Sequence, residues 1–135
     1  MKVLVDTSVW SLALRRRLHA AEEAQELSRL IQDGTVTMIG PIRQELLSGI
    51  SLPSQFEKLK TELDAFDDIP LSQVHFETGA EFFNKCRKHG IQGSHTDFLI
   101  CAVASLEKMA IFTTDDDFTH YAKYLPLTLH RVSKS

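Results

Sequence analysis

An α/β fold with a mostly parallel sheet is what this sequence predicts. Short β-branched runs, "KVLV" (2–5), "TVTMIG" (35–40) and "AIFTT" (110–114), alternate with segments of helical periodicity. Runs apolar on both sides read as strands covered on both faces, as crossover helices cover a parallel sheet. The chain has 135 residues, 43% of them hydrophobic and 24% charged, which suits one domain with a core of its own and excludes a disordered chain.

The elements follow in order. "KVLV" is a buried strand, and "DTSVW" turns from it into a helix. "AAEEAQELSRLIQDG" places Ala20, Ala24, Leu27, Leu30 and Ile31 at helical spacing and stops at Gly34. "TVTMIG" is the second strand, and "PIRQELLSGI" opens on a proline suited to a first helical turn. Residues 53–66 predict another amphipathic helix, "DDIPL" (67–71) a short third strand, and residues 72–88 a longer helix stopped near Gly90. After the loop "GIQGSH", "TDFLICAVASLEKM" is the most apolar helix, "AIFTT" a fourth strand, "DDDFTHYAKYL" a short helix and "LTLHRV" a last strand. With no repeat or linker, residues 1–135 form one expected domain.

A net charge of −3 argues against binding polyanions by bulk attraction, unless metal ions supply positive charge at the contact. Cys86 and Cys101 sit in helical segments outside any CxxC or Cys/His cluster, so both are expected as reduced, buried thiols. "MKVLVD" has three apolar residues before a charge, too few for a signal-peptide core. "FLICAVASL" is about half the roughly 20 residues a membrane helix needs. A soluble, cytoplasmic protein without membrane contact is the expectation.

The acids carry the chemistry. Ligands of open α/β sheets gather at strand carboxyl ends, where Asp6 ends the first strand and Asp115 the fourth; on neighbouring strands they would converge. Asp97 has Ile100, Cys101 and Ala104 at i+3, i+4 and i+7, so it shares the stripe that faces the core and needs a cation, a hydrogen-bond cage or a proton. Glu45 similarly shares a face with Ile42, Leu46 and Gly49. Helix capping would explain Asp6, or one acid of the Asp115–Asp117 run, but not three in a row.

In order and context, "VLVDTSVW", "PIRQELLSG", "HTDFLICAVA" and "IFTTDDDF" resemble a PIN domain over nearly the whole chain, and the layout is similar to VapC-type toxins of prokaryotic toxin/antitoxin pairs. The resemblance implies a five-stranded parallel sheet with helices on both faces and a ribonuclease dependent on Mg2+ or Mn2+. Its acidic quartet falls on Asp6, Glu45, Asp97 and Asp115, with Asp117 as a further acid and Ser8 as the small hydroxyl residue after the first aspartate. It also implies a cognate antitoxin and a homodimer.

The expected reaction is hydrolysis of an RNA phosphodiester by in-line attack of water activated by a divalent ion. Asp6 and Asp97 are the direct ligands in this reading, Glu45 and Asp115 act through water or a second ion, and Ser8 and Asp117 support them. Arg15, Arg16 and Arg17 form a basic run that reads as a solvated face or a phosphate contact, and "KCRKH" suits a helix C-terminus. His95 lies beside the acid helix, where it is structural or touches substrate; Trp10, Leu12 and Leu14 are core, an antitoxin groove or a dimer seam. A haloacid-dehalogenase-like phosphatase needs a second acid where Ser8 stands. A receiver-like or other non-catalytic acidic-pocket module would want paired early acids and a late lysine.

Overall fold

The computed structural model describes residues 1–14 and 21–132; the Arg15, Arg16 and Arg17 run and Ala20 lie outside the described residues. Strand β1 (Val3–Val5) leads into α1 (Thr7–Leu14), then α2 (Glu22–Gln32) and β2 (Val36–Thr37). Helices α3 (Gly40–Leu47), α4 (Pro53–Leu63), α5 (Gln73–Lys88) and α6 (His95–Leu106) precede β3 (Ala110–Phe112), α7 (Asp117–Tyr121) and β4 (Thr128–Leu129). The sheet order is β2-β1-β3-β4 with every pairing parallel. β1 and β3 are buried along their whole length, as their unbroken apolar runs require.

Local chemistry sets the element ends. Pro41 and Pro53 occupy first helical turns, where the missing amide costs nothing. The turn after α2 passes through Gly34 at φ +71°, a conformation that excludes most side chains. Ser72 and His75 close a reciprocal cap on α5. α6 buries Phe98, Ile100, Cys101, Ala102, Val103 and Ala104, which makes it the central helix beside the sheet. Truncating a fully buried ring such as Phe98 costs about 3–5 kcal/mol.

Two expectations change. The described residues form four strands rather than five, because "DDIPL" makes only one bridge, Met38 to Asp68. Ile69 donates to the Met38 carbonyl at 2.9 Å, but the next donor in register, Leu71, would need Gly40, where the partner chain has already turned into α3. "AIFTT" is therefore the third strand. Ile31 lies at the edge of its helix, 39% exposed, instead of in the core. Trp10 is buried against the edge of Phe66, whereas Leu14 is exposed. Among the described residues no helix is long and apolar enough to cross a membrane.

Candidate active site

The connections from β1 and β3 leave toward opposite sides of the sheet, because β2 lies beyond β1 and β4 beyond β3. Such a switch point opens a crevice at the strand carboxyl ends. Asp6 stands in it, its amide donating to the Phe112 carbonyl at 2.8 Å. The residue is 8% exposed, and Oδ2 accepts from Ser8 Oγ at 2.9 Å and Thr113 Oγ1 at 2.8 Å. Each hydroxyl also accepts from a backbone amide, Ser8 from Thr114 at 3.1 Å and Thr113 from Asp115 at 3.0 Å. An ionised Asp6 only accepts, so both hydroxyls serve it as donors at shorter range than the 3.2 Å that separates them from each other. Oδ1 accepts no protein hydrogen bond among the described residues.

Asp97 is the third residue of α6, and its amide donates to Ser94 Oγ at 3.0 Å. Its Oδ2 accepts from Tyr121 Oη at 2.8 Å, and Tyr121 is fully buried. Burial raises the Asp97 carboxyl above its ordinary range; Asp6 and Asp115 add repulsion, while Tyr121 and Ser94 oppose the rise. The Tyr121 hydroxyl is also pushed upward, by burial and then by its bond to Asp97, so it stays a donor.

Glu45 occupies the rim rather than the apolar stripe of α3: Ile42 and Leu46 are buried and Glu45 is exposed. Its one side-chain bond is long, from Thr7 Oγ1 at 3.4 Å. Partial burial of the carboxylate and repulsion from Asp6 raise it. Asp115 Oδ1 accepts from the Asp117 amide at 2.9 Å in the turn that leads into α7, so a local structural role accounts for one acid of the run. Asp116 and Asp117 are exposed.

The crevice thus brings Asp6 into electrostatic reach of Glu45 and Asp97, and Asp97 into reach of Asp115. Among the described residues no three His, Cys, Asp or Glu side chains are grouped so as to hold a metal ion together. Thr113 and Tyr121 were not singled out from sequence. Thr113 ends "IFT" just ahead of the acids, a position whose hydroxyl points back into the crevice; Tyr121 lies 24 residues from Asp97, with no spacing rule to link them.

The PIN domain family model matches residues 3–124. This chain belongs to the PIN domain family. No curated protein sequence matches it. The PIN domain is similar to FitAcB from Neisseria gonorrhoeae, with a TM-score of 0.77, 19% identity, and 96% of each chain covered. It is also similar to VapBC2 from Rickettsia felis bound to a DNA fragment from their promoter, at TM-score 0.77 and 21% identity, covering 96% of this chain and 98% of that one. For VapBC-1 from nontypeable Haemophilus influenzae the TM-score is 0.75 at 15% identity, covering 99% and 100%. At these identities the likeness is one of fold.

Proposed function

We propose that this PIN domain is a divalent-metal-dependent endoribonuclease that acts as the toxin of a toxin/antitoxin pair. One observation carries the reading: Asp6, Glu45, Asp97 and Asp115 repel one another in one crevice, and among the described residues no Lys or Arg is ion-paired with any of them. A protein keeps such an imbalance where a ligand corrects it.

The donor set fits a hard cation. It consists of carboxylate and hydroxyl oxygens, and the nearby Cys101 thiol is pushed upward by burial, which keeps it neutral. Mg2+ or Mn2+ needs no three-carboxylate cage, since Mg2+ typically takes one or two protein carboxylates and retains several waters. Asp6 and Asp97 would hold it, with Glu45 and Asp115 acting through water. The ion supplies Lewis-acid polarisation of the phosphodiester and eases deprotonation of water. Ser8 and Thr113 fix the orientation of Asp6, Tyr121 fixes that of Asp97, and Asp117 adds negative charge at the exposed edge beside Tyr121.

FitAcB and the two VapBC structures support an antitoxin partner. Self-association into a homodimer belongs to the same reading. The test is RNA cleavage by the wild type and Asp97→Asn, with and without chelator. Cleavage that needs Mg2+ or Mn2+ and falls by about 10²–10³-fold or more in the variant is expected. Full activity in Asp97→Asn, or cleavage indifferent to chelator, overturns the assignment. Mg2+ binding with no cleavage replaces it with a non-catalytic acidic-pocket module.

A further inference from the structure

A cavity of about 210 Å³ opens between α5, the loop before α6, and Phe98. Gly93 lines it and packs against Tyr121, the residue that holds Asp97. A Cβ on Gly93 would lie 2.2 Å from Tyr121 Oη, and that hydroxyl lies 2.8 Å from Asp97 Oδ2. The cavity wall and the carboxylate are therefore two contacts apart.

The lining has the chemistry of RNA base recognition. The Phe83 ring lines the cavity, is stacked by His95 with centroids 5.0 Å apart and planes 16° apart, and makes a T-shaped contact with Phe98 at 5.5 Å. Arg87 follows Phe83 by one helical turn on α5, and Gln92 stands across the cavity's rim on the loop. Both are exposed, and among the described residues neither side chain has an ion pair or hydrogen bond. Arg29 and Arg43, in contrast, are both bound to carboxylates. A fixed aromatic wall with an uncommitted amide and guanidinium beside it is how proteins take up a single unstacked base and its phosphate.

We propose that this cavity is a nucleobase subsite for the nucleotide next to the scissile phosphate. Phe83 provides the stacking surface, the Gln92 amide reads the base edge, and Arg87 takes the adjoining phosphate. The proposal rests on the ribonuclease reading, since it names where that substrate's flanking nucleotide sits.

The test is a titration of the isotopically labelled full chain, free of divalent ions, with AMP, GMP, CMP, UMP and ribose 5-phosphate, following the Gly93 amide and the Arg87 Nε–H by NMR. The four mononucleotides are expected to shift both signals, to different degrees for different bases. Ribose 5-phosphate should move Arg87 alone. Phe83→Ala should weaken mononucleotide binding about tenfold, as expected for losing one base–aromatic stack. Gln92→Ala, an exposed change that cannot unfold the protein, should level the differences among the bases. An equal response to ribose 5-phosphate and the nucleotides, no response at all, or binding unchanged in both variants overturns the subsite. RNA cleavage with the same cut-site preference in wild type and both variants also overturns it, while leaving the ribonuclease reading intact. Mononucleotide binding without RNA cleavage overturns the ribonuclease reading alone.

Discussion

Glu26 on α2 and Asp97 on α6 are both withdrawn from water, yet their surroundings are opposite. Glu26 is 5% exposed and accepts two bonds from Arg29, at 2.9 and 2.7 Å, while His130 reaches it from beyond β4. Arg29, assisted by His130, holds its carboxyl down at about 2. Asp97 faces Asp6 and Asp115 and receives only neutral donors, so its carboxyl is raised. The first carboxylate is compensated within the protein and closes the fold by tying the C-terminal segment to α2. The second is left short of positive charge. Burial alone does not mark a functional acid; uncompensated burial does.

Exchanging the two charges for amides breaks that comparison most sharply. Asp97→Asn should lose divalent-dependent cleavage while its urea midpoint at neutral pH stays equal to or above the wild type. Glu26→Gln should do the reverse, losing about 2–3 kcal/mol in urea unfolding, below the usual cost of breaking a buried pair because Arg29 is half-exposed. Its activity per folded molecule should be retained.

The pH dependence separates them by sign. Glu26 is depressed from 4.5, so its stabilisation is complete above that value and is lost as pH falls toward about 2. Asp97 is raised from 3.8, so the folded state holds its proton longer, and its penalty grows as pH rises through 3.8 and the folded value. Urea midpoints from pH 2 to 7 should show a shallower acid-side loss in Glu26→Gln and a higher neutral-pH plateau in Asp97→Asn.

Smaller changes sharpen the comparison. Gly93→Ala drives a methyl into Tyr121 Oη and Cζ, at 2.2 and 2.8 Å; it should cost about 1–3 kcal/mol by thermal denaturation and dislodge the donor from Asp97. Thr113→Val removes one of the two protons aimed at Asp6 and should lower Mg2+ affinity by about tenfold, measured by calorimetry. Tyr121→Phe, the mildest, should cost about 1 kcal/mol and move the acidic limb of the cleavage profile upward, because Asp97 loses the bond that favours its charged form.

Much of this was legible in the chain. The strand-end position of Asp6 followed from an unbroken apolar run, and parallel pairing of β1 with β3 places their carboxyl ends side by side; Asp115 lies three residues past β3, in the turn into α7, instead of at the strand end. Partial burial of Asp97 followed from its place on the α6 stripe. Glu45 did not follow the same logic, because α3 is short and its face ends at the crevice rim. The fifth strand failed because its partner turns into α3 at Gly40, two residues past the single Met38–Asp68 bridge. Glu26 was missed because it borders the Leu27 and Leu30 stripe as a polar residue; its spacing of three from Arg29 was a signal, but His130 is 104 residues away. Tyr121 and Thr113 were missed for the same reason: periodicity describes one element, and these bonds join two.

The pairing of β1 with β3 sets an order of assembly. Val5 lies beside Phe112, and the Asp6 cage takes Thr113 from the far end of the chain. During synthesis the helices between them can form from nearby neighbours, but the first aspartate waits, uncaged, for the stretch that completes its surroundings. A ribosome-bound fragment ending before Thr113 carries three of the four acids and none of the finished crevice, so the crevice exists only once synthesis has passed Asp115.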